Sequence, residues 1–197
     1  GVMNYVLRDI MLDFVQGRSD AREINARYLQ QMENYPLQNM YSMMNLLGSH
    51  DVERILTLTS QKNDIKGEGE KRLLLLWAWQ MTLPGAPSIY YGDEAGLQGG
   101  KDPENRRTYP WGREDKHLQA CCRELVHLRR RFAALRTGRM IPVYAEGDVY
   151  VYARSIEGGQ DVFGQSAEDG TFFIALNRGK TQKSMEIATI NLAFGEL

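Results

Sequence analysis

Two apolar runs, each ending abruptly on paired polar residues, restrict this chain more than any other feature. Met43–Leu47 leads through Gly48 and Ser49 to His50 and Asp51, and Ser88–Tyr91 leads through Gly92 to Asp93 and Glu94. Between them lies Glu70–Leu83, rich in Leu and Trp, which stops at Pro84-Gly85. Apolar runs bounded by turn residues suit strands of a parallel sheet covered on both faces. If such strands belong to a (β/α) barrel, their carboxy-terminal ends face the substrate, and polar pairs there read as binding or catalytic groups.

The rest of the chain extends this grammar. Val2–Tyr5 reads as a short buried strand, and Val6, Leu7, Ile10, Met11, Phe14 and Val15 recur at helical spacing before a stop at Gly17. Ser19 or Asp20 caps a second helix, with Glu23 at the capping-box position, and Pro36 prevents its continuation. Val52–Leu58 reads as a short helix, and Lys62–Gly69 as a loop. Glu70–Leu83 predicts a helix buried on most sides, with Trp77 and Trp79 in the core. A long polar loop runs from Gly92 to Arg113, and His117–Leu135 is amphipathic. Beyond Gly138 the pattern becomes that of a small antiparallel sheet, with strand-like runs at Val149–Ala153, Thr171–Leu176 and Met185–Leu192. The expected division is 1–137 for the strand-helix part and 138–197 for the β part.

Composition excludes several classes. Among 197 residues, 24 Lys and Arg balance 25 Asp and Glu, so there is no electrostatic footprint for nucleic acid or an anionic membrane. Arg129-Arg130-Arg131 reads as a solvated or carboxylate-paired face. No run approaches the roughly 20 apolar residues of a membrane span. Cys121 and Cys122 are neighbours in a helical segment, a poor geometry for a bridge, and reduced thiols favour a cytoplasmic setting. The chain starts without Met inside a strand-like run and is read as an excised piece of a longer protein.

At this point the residues resemble a known family. Asn45-Leu46-Leu47-Gly48-Ser49-His50-Asp51-Val52-Glu53-Arg54 is similar to the fourth signature region of the α-amylase superfamily of glycoside hydrolases. Tyr90-Tyr91-Gly92-Asp93-Glu94 resembles the final barrel strand of those enzymes. Val2–Tyr5, with Asp102-Pro103-Glu104-Asn105-Arg106-Arg107, narrows the resemblance to the cyclomaltodextrinase, neopullulanase and maltogenic amylase group. The implied fold is α/β: the C-terminal part of a TIM (β/α)8 barrel, about strands 6–8, followed by part of an antiparallel β-sandwich.

The resemblance also implies roles. Asp51 corresponds to the carboxylate that stabilises the transition state, and His50 to a donor toward the same glucose. Asp102 and Arg106 bind glucose from the loop after the last strand; a carboxylate and a guanidinium together can accept from and donate to vicinal hydroxyls. Tyr5 is a candidate sugar contact or a buried strand tyrosine. Arg107 reads as structural; Asp93 and Glu94 either organise the loop through Arg or backbone N–H contacts or help shape the pocket floor; Trp111 reads as packed rather than presented for stacking. The nucleophile and general acid of retaining hydrolysis belong to strands four and five, so neither Glu53, Asp93 nor Glu94 fills that vacancy.

No metal or other cofactor is expected. The expected partner is an α-glucan oligosaccharide or cyclodextrin, with no nucleic acid and no membrane. Exposed strand edges also predict pairing with the missing N-terminal part of the barrel or with a second copy, or else a compacted arrangement. Two rivals stay open: a non-catalytic amylase-like binding or assembly module, and an α-glucosidase or glucanotransferase of the same superfamily.

Overall fold

A computed structural model describes residues 2–60 and 67–186. The chain opens with a short extended segment and then α1 (Tyr5–Val15), where the Asn4 side chain accepts a hydrogen bond from the Leu7 N–H at 3.1 Å. That cap turns the backbone into helix at Tyr5, so the expected strand over Val2–Tyr5 is reduced to a bridge at Met3, and Val2 is exposed rather than buried. Asp20 and Glu23 form the reciprocal capping box of α2 (Ala21–Glu33), satisfying two otherwise orphaned N–H groups. A short α3 (Leu37–Ser42), which the sequence reading lacked, follows Pro36 and leads to β1 (Met44–Leu46).

After β1 come α4 (Ile55–Thr59) and α5 (Glu68–Thr82), the latter starting two residues earlier than the sequence pattern indicated. Most of the expected loop over Lys62–Gly69 lies outside the described residues. Next is β2 (Ala86–Ser88), shorter and earlier than the expected Ser88–Tyr91. Two single 3-10 turns, Asp93–Ala95 and Glu104–Arg106, punctuate the long polar segment. Then come α6 (Lys116–Arg131), capped by the Asp115 carboxylate on the Leu118 N–H at 2.9 Å, and α7 (Ala133–Thr137). The remainder is β3 (Arg139–Glu146), β4 (Val149–Ile156) and β5 (Gly170–Asn177). The strand expected at Met185–Leu192 falls almost wholly outside the described residues, and Met185 and Glu186 are not in a strand.

Three chain segments run parallel in the order Met3, β1, β2. Met3 bridges Met44, and β1 pairs with β2 from Met44↔Ala86 to Leu46↔Ser88. Helices connect them, as parallel pairing requires. The three later strands form a separate antiparallel sheet in the order β3-β4-β5, with a register irregularity between Pro142 and Tyr144.

One apolar cluster joins the two parts. Phe14 of α1 meets Trp79 of α5 edge-on at 5.6 Å, and Trp79 meets Tyr150 of β4 at 5.8 Å. Trp77, Leu73 and Leu76 are sealed in the same cluster, which continues to Tyr152 and Leu176. Each such side chain contributes about 1.5–3 kcal/mol on burial, which explains why α5 can be apolar around most of its circumference. Among the described residues no helix is long and apolar enough to cross a membrane.

Two buried arginines hold the same junction. Arg129 donates to the carbonyls of Met81 (2.8 Å), Leu83 (2.9 Å), Leu135 (2.7 Å) and Gly85 (2.6 Å). Arg154, fully buried in β4, donates to the carbonyls of Thr82, Leu135 (3.0 Å), Arg136 (3.4 Å) and Gly138 (2.9 Å). This corrects the expectation for the Arg triplet: Arg130 and Arg131 are exposed, but Arg129 is buried on carbonyl oxygens, with no carboxylate partner among the described residues. The end of α5 leaves carbonyls without helical donors, and a guanidinium there satisfies several at once.

Candidate functional site

The His50–Asp51 pair sits where β1 has just ended and the chain must pass close to β2. Gly48 permits that passage: a Cβ there would lie 2.2 Å from Asp93 Oδ2 and 3.3 Å from Tyr90 Cβ. Beyond it, the Ser49 hydroxyl accepts from the Asp51 N–H at 3.1 Å and lies 2.9 Å from the Tyr5 hydroxyl. Tyr5 also donates to Asp51 Oδ2 at 3.4 Å, and His50 Nε2 lies 3.2 Å from Asp51 Oδ1. His50 and Asp51 are each just over half exposed. A solvent-facing carboxylate held from two sides can accept hydroxyls without losing its orientation.

Asp102 and Arg106 come from the segment after β2 and meet this pair. Arg106 Nε donates to the His50 carbonyl at 3.1 Å and lies 3.4 Å from Asp102 Oδ1. Both are roughly half exposed, leaving the outer guanidinium nitrogens and the second carboxylate oxygen available. All five residues singled out from the sequence are therefore linked by direct contacts. A cleft of about 530 Å³ adjoins them, with Asp51 and Asp102 on its wall beside Arg8, Asp9, Glu53 and Lys101. His50, Arg106 and Tyr5 do not line that cleft, so each pair contributes one carboxylate to its wall.

Beneath the exposed residues is a buried layer that sequence reasoning missed. Arg54, fully buried, donates through Nε to the Asn105 carbonyl (2.7 Å) and through Nη1 to Asp93 Oδ1 (3.1 Å) and the Tyr91 carbonyl. Its guanidinium lies over the rings of Tyr90 (4.1 Å) and Tyr91 (4.6 Å). Burial pushes the Asp93 carboxyl up, to about 7, against the opposing pull of Arg54. Asp93 is thus structural, one of the two readings its sequence context allowed. Asn105, also buried, donates through Nδ2 to the carbonyls of His50 and Val52, both at 2.9 Å. The only sequence signal for either residue was its place inside a recognised motif.

Other expectations resolve individually. Arg107 is exposed, 3.9 Å from Glu104, while its carbonyl accepts from the Tyr91 hydroxyl at 2.8 Å. Trp111 is not packed: it is 79% exposed, with Tyr109 alongside at 4.5 Å between ring centres. Gly112, immediately after it, has a positive φ of 75°, a conformation that favours glycine. Cys121 and Cys122 are free thiols, and burial raises Cys122 to about 11, so it is protonated at neutral pH. Among the described residues, no group of three or more His, Cys, Asp or Glu side chains is gathered as a metal ion would need.

Parallel strand-helix units with polar pairs at the carboxy-terminal strand ends define an α/β protein, and its structural neighbours are TIM-barrel glycoside hydrolases. The comparisons give the family: the alpha amylase catalytic domain matches residues 1–139, and the chain belongs to that family. An amylopullulanase of Thermoanaerobacter thermohydrosulfuricus is 42% identical over 92% of this chain, and a cyclomaltodextrinase of Geobacillus thermopakistaniensis is 37% identical over 82%. The chain covers 14% of the first protein and 27% of the second. A solved debranching enzyme from Nostoc punctiforme superposes with a TM-score of 0.81 at 30% identity, over 98% of this chain and 40% of that one.

Proposed function

We propose that residues 1–137 supply about the sixth to eighth strand-helix units of a retaining α-glucan hydrolase, and residues 138–197 part of its β-sandwich. The substrates are cyclodextrins, pullulan or maltodextrins, cleaved at α-1,4 links. The names amylopullulanase and debranching enzyme among the relatives support α-1,6 cleavage as a second activity. The single observation that carries this reading is the junction at the His50 carbonyl: Arg106 donates to it at 3.1 Å, joining His50 and Asp51 to Asp102 and Arg106 on one exposed face.

In this reading Asp51 accepts hydrogen bonds from sugar hydroxyls beside the reacting carbon. Those bonds strengthen as the ring flattens toward an oxocarbenium ion, so they stabilise the transition state more than the ground state. Tyr5, 3.4 Å from Oδ2, and His50, 3.2 Å from Oδ1, keep the carboxylate oriented. His50 hydrogen-bonds the same glucose through its other ring nitrogen, while Asp102 and Arg106 hold a neighbouring unit. A retaining mechanism also needs a nucleophile and an acid about 5–5.5 Å apart. The family resemblance assigns both to strands four and five, ahead of this chain. The isolated polypeptide is then a glucan-binding piece without turnover. Separate assays of this chain and of the longer polypeptide carrying it, on β-cyclodextrin and pullulan, test the assignment. Hydrolysis by the longer protein alone, reduced at least a thousandfold by Asp51→Asn, is the expected result; normal turnover by the 197-residue chain refutes it.

A further inference from the structure

The loop that carries Asp102 and Arg106 is exposed, yet it is pinned at both ends to the segment that carries His50 and Asp51. At its start, Gly99 accepts from the Arg54 N–H at 3.0 Å and donates to the Thr57 hydroxyl at 2.9 Å. At its end, the Asn105 carbonyl accepts from Arg54 Nε at 2.7 Å, and its amide donates to the carbonyls of His50 and Val52. Asp102 lies inside this closed loop and Arg106 directly follows the second pin. The orientation of the Asn105 amide is dictated, because the reverse would set Oδ1 against two carbonyl oxygens.

We propose that Asn105 is a positioning residue: through its two amide hydrogen bonds it fixes Asp102 and Arg106 against His50 and Asp51, and so sets the affinity of the site for glucan. This rests on the α-glucan reading above. The side chain is only 1% exposed, so it acts without touching sugar. Arg106 alone could not serve, since the Nε bond to the His50 carbonyl is made by an exposed side chain, and such contacts are weak and easily exchanged with water. Asn105 is buried, makes two bonds of 2.9 Å, and leaves the outer face of Arg106 available for hydroxyls.

Two substitutions test it, made in the longer polypeptide carrying this chain and read as the Kd for β-cyclodextrin from pH 4.5 to 7.5. Asn105→Asp is nearly isosteric but faces two carbonyl oxygens with a carboxylate; Asn105→Ser removes the bonds without adding charge. Binding at pH 7.5 is expected to weaken at least tenfold in both. In Asn105→Asp alone the deficit relative to the unaltered protein should shrink toward pH 4.5, because the protonated carboxyl regains one donor. Circular dichroism of each variant over the same pH range, showing a fully folded protein, separates this recovery of binding from a recovery of stability, which protonation of a buried carboxylate would also give. If Asn105→Asp fails to fold, the tenfold loss in Asn105→Ser carries the test. Unaltered affinity in Asn105→Ser, or a deficit in Asn105→Asp that does not change with pH, overturns the role assigned to Asn105. Failure of the unaltered protein to bind cyclodextrin overturns the glucan reading itself, and this inference with it.

Discussion

Replacing Arg129 with Met should destabilise the chain by about 3–5 kcal/mol, because buried carbonyls left without a donor cost about 1–3 kcal/mol each, partly offset by no longer burying the guanidinium. The structure sets out why. Four charge-assisted hydrogen bonds, at 2.6–2.9 Å, converge from Arg129 on the carbonyls of Met81, Leu83, Gly85 and Leu135. Only Leu135 keeps another donor among these contacts, through Arg154 at 3.0 Å, so three carbonyls near the end of α5 lose this partner. Burial and the neighbouring Arg154 lower Arg129 to about 10, which leaves it protonated at neutral pH and able to make all four bonds. Met preserves much of the aliphatic stem, so the lost packing is small. For a domain of this size the cost corresponds to a fall in Tm of roughly 6–20 °C. Lys, a point charge with three donors and no planar fork, should recover only part of the loss. Urea unfolding of the three proteins at pH 7 measures this directly. A Met variant within about 0.5 kcal/mol of the original, the scatter of ordinary surface substitutions, would refute the view that Arg129 holds the junction between α5 and the β-sheet.

Three further predictions concern other parts of the molecule. Gly48→Ala should cost about 1–3 kcal/mol by overpacking, since its Cβ would fall 2.2 Å from Asp93 Oδ2; unchanged urea midpoints would contradict the close approach of the β1 and β2 ends. Asp13 is pushed up by burial, but hydrogen bonds from Arg27 and Arg18, each 2.7 Å away, pull it lower still, so its carboxyl stays below the usual value. A depressed folded pKa gives stability that is present above about pH 4 and lost as pH falls through the folded value. Asp13→Asn should therefore flatten the acid limb of a stability profile, and an unchanged slope would count against the pairing. Acrylamide should quench Trp111 strongly while Trp77 and Trp79, each 1% exposed, resist; removal of the quenchable fluorescence by Trp111→Phe checks the assignment.

How much could be read from the residues depended on whether the signal was local. The helix pattern of Leu7, Ile10, Met11 and Phe14, the Asp20–Glu23 capping box and the apolar ends of β1 are encoded within a few residues, and each appears in the structure. The clustering of His50, Asp51, Asp102 and Arg106 was legible only because the family resemblance placed two distant motifs on one face. Arg129 escaped for the opposite reason. Its neighbours Arg130 and Arg131 make the triplet look solvated, and its true partners are main-chain carbonyls contributed by α5, Gly85 and Leu135. Such partners leave no trace in residue identity. Trp111 was misjudged because an aromatic in a loop usually packs, and nothing local announced that the loop turns it outward. β3, Arg139–Glu146, was hidden by Pro142 and by the register irregularity beside it.

The central claim is that His50, Asp51, Asp102 and Arg106 act as one α-glucan-binding face. It is tested most directly by NMR titration of the isotopically labelled chain with maltotetraose, following the His50 ring and the Arg106 Nε–H signals. The account predicts that both sets of signals shift together along one saturating curve, and that Asp51→Asn and Asp102→Asn each weaken that curve while leaving the spectrum of the folded core in place. Saturable shifts confined to residues away from this face, or no shift at either side chain at millimolar sugar, would contradict it.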